Sequence, residues 1–263
     1  MTTSTVQTEL APFLDARDRT DYEIPPKWVW AAVGSYVTWA AVVAVIAVPV
    51  VTILNGTLPV TLLTWPIGLL GLAGLMFSAA SSYLVYQLIS RRNMHFAREE
   101  ALLWKILDNV RSRTPQSDMR TLLPLSSAER DLIMLSMMGK ERSAVLWSLL
   151  AVIPYVGWFA ITYALAFLSH DLRKHEQMED MVLEDMSRVA TAQGGQSYPI
   201  RPGRMPRQTV PLYLVFSIIT LGIFPLVWLY FSVKDPESHF EYHRSVEAIL
   251  ASTSASLGPS GGL

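Results

Sequence analysis

Apolar positions in this chain fall in long unbroken runs, without the polar face that an ordinary soluble helix carries. Between Lys27 and Arg91 there is no Asp, Glu, Lys or Arg for 63 residues, whereas one membrane crossing needs about 20. The run is expected to cross twice, from Trp28 to Leu54 and from Leu58 to Ile89, with Asn55-Gly56-Thr57 as the turn. Trp28 and Trp30 stand where an interfacial aromatic belt belongs. Gly74, Ser78 and Ser82 form a stripe of small residues at four-residue spacing, the pattern that lets a second helix approach closely.

Two further uncharged windows run from Ser143 to His170 and from Gln208 to Val233. Each is interrupted, the first at Ile153-Pro154-Tyr155-Val156-Gly157 and the second at Thr220-Leu221-Gly222-Ile223-Phe224-Pro225. Each half measures roughly 15 to 20 Å as helix, against about 30 Å of hydrocarbon. Two topologies follow: a kinked crossing, or a re-entrant hairpin that enters and leaves on one face.

The segments between these windows read as amphipathic helices. Leu102, Leu103, Ile106, Leu107 and Val110 recur at helical spacing, so the second crossing continues outward until Pro115 and Gln116. Ser126-x-x-Glu129 has the form of a capping box and predicts a second short helix that stops near Gly139. Leu172, His175, Glu179, Val182, Leu183 and Met186 predict a surface helix. The acids between Asp171 and Asp185 read as its solvated face.

The fold class is thus all-α integral membrane: a spanning helical pair, two Pro/Gly-broken apolar segments that span or re-enter, and cytoplasmic amphipathic helices. By residue, this gives a polar N-terminal tail (1–27), two transmembrane helices (28–89) and a cytoplasmic helical segment (90–142). A third membrane segment (143–168), an amphipathic helix and linker (169–208) and a fourth membrane segment (209–233) follow. An interfacial helix (234–251) and a disordered tail (252–263) complete the chain.

Composition agrees, with 51% hydrophobic and 16% charged residues against about 25% charged in soluble domains. A net charge of -1 gives no hint of a nucleic-acid partner, and the absence of cysteine excludes disulfide and thiolate chemistry. Ten basic residues lie between Ser90 and Arg142 and none in the Asn55 turn. The positive-inside bias therefore places that segment and the N-terminus in the cytoplasm of a multi-pass cell-membrane protein. Arg201, Arg204 and Arg207 suit anionic lipid head groups or simply enforce orientation.

Three apolar segments end alike. Tyr83-Leu84-Val85-Tyr86 is followed nine residues later by His95-Phe96, and Trp228-Leu229-Tyr230 nine residues later by His239-Phe240. A looser copy runs through Tyr163 and Phe167-Leu168 to His175-Glu176. The motif Thr220-x-Gly222-x-Phe224 followed by Trp228-x-Tyr230 resembles the domain-of-unknown-function family 4234, small prokaryotic membrane proteins. The resemblance covers about residues 212–250 and, in degenerate form, 149–186, where Gly157, Phe159 and Tyr163 are kept but Tyr155 replaces Thr and the Trp is missing. It implies a membrane location and no activity.

Candidate chemistry is sparse. The windows hold no ionisable group apart from His170 at an edge, which argues against pumps, proton-coupled carriers and voltage sensors. The sharpest constellation is three pairs at i and i+4: His95 with Glu99, His175 with Glu179, and His239 with His243. Each pair places two metal-ligating side chains on one helical face, and if the repeat holds, the three could meet at the cytoplasmic membrane surface. The competing reading is interfacial histidines with a carboxylate accepting a hydrogen bond, and on that reading the chain has no metal and no cofactor. No nucleotide loop or further carboxylate cluster completes an active site.

The expected function is accordingly non-enzymatic: a structural or accessory subunit whose amphipathic helices lie on the bilayer and meet a protein partner or a second copy. The alternative is a small oligomeric channel or neutral-solute transporter built around Gly74, Ser78 and Ser82. A metal-binding membrane protein stands third.

Overall fold

The computed structural model describes residues 3–54, 64–193 and 209–256, and its regular structure is helical with no strand among them. Helix α1 (Thr3–Asp15) and the short α2 (Arg17–Thr20) lead through a 3-10 turn (Pro26–Trp28) into α3 (Val29–Leu54). Then come α4 (Thr64–Arg113), α5 (Met119–Met138), α6 (Ala144–Val152), α7 (Val156–Ala192), α8 (Val210–Ile219) and α9 (Phe224–Ser256). The Asn55 turn, the start of the second crossing up to Leu63, and the arginines at 201, 204 and 207 lie outside the described residues.

Among the described residues two helical stretches are long and apolar enough to cross a membrane, Pro26–Ala47 and Trp65–Arg113. The second belongs to α4, which holds 50 residues and extends about 75 Å. Its apolar part ends at Ile89, and the rest continues as a polar-faced helix without a break.

Both broken windows reverse direction. Trp147 stacks on Tyr163 with ring centroids 5.0 Å apart, although sixteen residues of continuous helix would separate them by about 24 Å. Tyr213 meets Trp228 at 5.2 Å, fifteen residues on, where a straight helix would give about 22 Å. Thus α6 with the start of α7, and α8 with the start of α9, are two helical hairpins.

The turns explain the motif residues. Tyr155 and Leu221 have φ of 63° and 52°, and Gly222 has 88°, the left-handed region that disfavours a Cβ. At Gly222 a Cβ would also run into the Trp158 indole, whose Nε1 donates to the Gly222 carbonyl at 3.0 Å. Thr220 Oγ1 accepts from Phe224 N at 2.9 Å and donates to the Phe216 carbonyl at 2.7 Å, closing α8 and starting α9 together. In the first hairpin a Cβ on Gly157 would collide with the Ala151 carbonyl, so the legs close only over glycine.

The small-residue stripe is used inside the chain. Gly74 faces the Trp39 ring, Ser78 Oγ bonds both Ser35 Oγ (3.0 Å) and Trp39 Nε1 (2.9 Å) of α3, and Ser82 Oγ donates to the Ser148 carbonyl of α6 (2.6 Å). The face on which an oligomeric channel would be built is already covered.

Below the apolar half, the polar-faced parts of α4, α5, α7 and α9 pack on one another. One core joins Leu102, Ile106, Leu132, Val182, Met186 and Val246, and a second, on the apolar side, joins Leu84, Leu88, Ile161, Leu165, Trp228 and Val233. Burial of apolar faces against each other removes them from water, at about 25 cal/mol per Å², so these helices bundle and do not lie singly on a surface.

Several expectations are corrected. The N-terminal segment is no tail: α1 inserts Leu10, fully buried, into the lower core. The capping box at Ser126 and Glu129 falls inside α5, whose N-cap is Asp118, accepting from Arg120 N at 3.2 Å. Asp171, Glu176, Glu179 and Asp185 are buried and only Glu184 is exposed, so most of the acids of α7 are not on a solvated face. Helix α9 runs on to Ser256, past the expected start of the tail at Ser252.

Candidate metal centre

Between the two apolar cores, α4, α7 and α9 turn polar faces toward each other. Side chains four apart lie one above the other on a helix, so His95 and Glu99, His175 and Glu179, and His239 and His243 each point inward as a pair. All six are buried, none more than 2% exposed. The register is set above the centre, where Arg92 pairs with Asp171 at 3.0 Å and Trp228 Nε1 donates to Ser169 Oγ at 2.9 Å.

The structure brings all six residues together. Glu99 Oε2 lies 2.7 Å from His175 Nε2 and 3.2 Å from His95 Nε2. Its other oxygen, Oε1, lies 3.3 Å from His243 Nδ1. His239 Nε2 stands 3.3 Å from His95 Nε2 and 3.0 Å from His243 Nε2, and Glu179 Oε2 is 3.2 Å from His243 Nε2. Two overlapping quartets each keep their ligating atoms within 4.8 Å of one another: His95, Glu99, His175 and His239, and Glu99, Glu179, His239 and His243. Four ligands at about 2.1 Å around a tetrahedral ion lie ~3.4 Å apart, and the shortest separations here, 2.7 to 3.3 Å, are close to that.

A surrounding layer orients these rings, as ligating imidazoles usually require. His95 Nδ1 sits 2.9 Å from Asp21 Oδ1, leaving Nε2 directed inward. Asp21 is held in turn by Arg98 at 2.8 Å, and Arg98 also donates to Glu247 at 2.7 Å. His175 stacks on Phe96 with centroids 3.9 Å apart, and the Arg92 guanidinium carbon lies over the Phe96 ring at 4.1 Å from its centroid.

The electrostatics favour cations in this layer. Asp21, Glu99, Glu176, Glu179 and Glu247 are all buried here, and a buried carboxylate without positive charge nearby costs several kcal/mol. Burial alone disfavours a charged His243, but the facing Glu179 and Glu99 outweigh it and hold its pKa well above the ordinary 6.5. Burial, then the cationic neighbours His243 and His95, push His239 well below that value, so its ring is neutral. Burial raises Asp21, and His95 followed by Arg98 more than reverse this, leaving it below its ordinary 3.8.

Asp21, Arg98 and Glu247 are not among the residues that the sequence singles out, and Glu176 enters there only as part of the looser third copy and of the acids between Asp171 and Asp185. Glu247 was legible, since it extends His239 and His243 by one more i+4 step. Asp21 carries no such signal, because only the folding back of the N-terminal segment brings it to His95. Of the remaining motif residues, Trp228 is fully buried beside Ser169, Phe224 packs on Tyr213, and Tyr230 is exposed. None of these touches the centre.

Comparison with family models, with curated proteins and with solved structures finds no match to this chain. The resemblance of residues 212–250 to family 4234 therefore stands on its motif alone.

Proposed function

We propose that this chain is an integral membrane protein holding a first-row divalent metal in a buried imidazole–carboxylate centre at the base of its membrane half. One observation carries the reading: six metal-ligating side chains from three separate helices converge, buried, at ligand spacing. Imidazole suits Zn, Fe and Ni, and carboxylate adds harder oxygen donors. The partner-seeking amphipathic faces and the small-residue stripe, on which the accessory-subunit and channel readings rest, are consumed within the chain. The proposal is of a metal-holding membrane protein, not of an enzyme.

Elemental analysis of the detergent-purified protein after loading with Zn2+ and desalting tests this. Retained metal is expected in the native protein and much less in His95→Ala and His239→Ala. Native protein that retains none sinks the reading.

The same proposal places α3 and α4 across the bilayer and the two hairpins as re-entrant elements on the cytoplasmic face, which puts all 21 basic residues on one side. The first hairpin tip reaches the level of Ser78, since Tyr155 packs on Trp39, which bonds Ser78. That is thirteen residues from Arg91, or about 20 Å, short of the ~30 Å of hydrocarbon. Broken backbone is tolerated at such depth only when covered. Here Tyr36 donates to the Leu221 carbonyl at 2.9 Å and Trp158 to that of Gly222. Leu69, Phe159, Ile218 and Leu221 are 65 to 85% exposed, as lipid-facing side chains are. A cysteine introduced at Gln196 should be labelled only from the cytoplasmic side; labelling from outside alone refutes the re-entrant arrangement.

A further inference from the structure

We infer that the centre holds two metal ions, bridged by the Glu99 carboxylate. The inference rests on the metal-binding reading above and goes beyond it in number and ligand assignment.

The two quartets are not alternative descriptions of one point. Glu99 belongs to both, and its two oxygens have different neighbours: Oε2 lies beside His95 Nε2 and His175 Nε2, and Oε1 beside His243 Nδ1. A carboxylate in that position binds one ion through each oxygen. His239 is the other shared residue, with Nε2 between His95 and His243 at 3.3 and 3.0 Å, but an imidazole nitrogen has one lone pair and serves one ion. His95, His175, Glu99 and His239 then close a four-coordinate site. The second ion keeps Glu99, Glu179 and His243, three protein ligands, with one position open to a solvent-derived oxygen ligand, as open sites do.

Charge supports two ions over one. Glu99 and Glu179 supply two negative charges directly, and Glu176 lies 3.9 Å from His239 Nδ1. A single dication in the first quartet leaves Glu179 with the second group of ligands facing no metal. Asp21 and Glu247 lie outside this count, since both bond Arg98 and Glu247 also faces Arg17 at 3.7 Å.

The test is metal stoichiometry of the full chain in detergent, titrated with Zn2+, desalted and analysed. Two Zn2+ per chain are expected. One per chain overturns the two-ion inference and leaves metal binding standing, whereas none overturns both. His175→Gln should lower the count to one by opening the first site, His243→Gln should lower it to one by removing the second, and the double variant should fall below one. Retention of two ions by either single variant refutes the assignment. The native protein loaded with Mn2+ provides a measurement that needs no variant. Two ions sharing a carboxylate are about 3.5 to 4 Å apart and give an exchange-coupled electron paramagnetic resonance spectrum. A spectrum of isolated Mn2+ at full loading overturns the bridge.

Discussion

Replacing Arg98 by Met isolates the layer that ties the N-terminal segment to the centre. The Arg98 guanidinium bonds Asp21 at 2.8 Å and Glu247 at 2.7 Å, and all three side chains are at most 3% exposed. Removing one partner of a buried pair typically costs about 3 to 5 kcal/mol, because the other charge is left behind. Both carboxylates keep a second partner, Glu247 the Arg17 guanidinium at 3.7 Å and Asp21 the His95 Nδ1 at 2.9 Å, so the loss falls at the lower end of that range. The chain can relieve it by protonating Asp21. From the ordinary value of 3.8 this costs about 4.4 kcal/mol at pH 7, at ~1.36 kcal/mol per unit, and so caps that penalty.

The expected loss for Arg98→Met is therefore about 3 to 4 kcal/mol at pH 7. The pH dependence has a definite sign. The folded pKa of Asp21 is depressed, so its stabilisation is present above 3.8 and disappears as pH falls through the folded value. Protonation becomes cheaper by about 1.4 kcal/mol per unit of acidification, so the gap between native and variant must narrow toward pH 4. Urea unfolding in micelles, followed by circular dichroism at pH 7, 6 and 5, measures this gap. Adding Asp21→Asn to Arg98→Met should recover about half the loss, since the stranded charge is gone. A gap below about 1 kcal/mol at pH 7, or one that widens with acid, would falsify the account of Asp21 and Arg98 as a buried matched pair.

Three further outcomes follow from local geometry. Gly157→Ala should cost at least about 1 to 3 kcal/mol by forcing apart the α6–α7 hairpin, whereas Gly68→Ala and Gly71→Ala, which have nothing within 4 Å, should leave the melting temperature unchanged or raised. Equal effects at all three positions would mean that the hairpin does not close on Gly157. Asp118→Ala should lower the melting temperature at pH 7 by removing the α5 cap. The Thr121 hydrogen bond holds the Asp118 pKa below 3.8, so this difference should fade only below that pH, and a difference unchanged at pH 2 would contradict the capping role. Trp228→Phe removes the hydrogen bond to Ser169 from a fully buried site and should cost about 1 to 3 kcal/mol in the same unfolding assay.

Much of the helical layout was legible because its signals are local. Uninterrupted apolar runs mark the α3–α4 pair, Pro154 and Gly222 mark the breaks, and Gly139 marks the end of α5. Boundaries went astray where competing local signals existed: the Ser126–Glu129 pattern looks like a cap, yet Asp118 takes that role and the helix simply runs through. The three i+4 pairs were also readable, as pairs. Each is a property of one helix and carries the same pattern as a histidine beside a solvated carboxylate.

The sequence by itself determined which segments are apolar enough for a membrane, where they break, and which faces of α4, α7 and α9 carry imidazole and carboxylate. Only the tertiary structure decided that the breaks are reversals, that the amphipathic faces cover one another, and that His95, His175 and His239 stand at one level with Asp21 behind them. The physical reason is that helical periodicity fixes direction around one axis only. The relative height and rotation of three helices depend on contacts between residues up to about 150 positions apart, such as Arg98 with Glu247, and chain spacing does not encode those contacts.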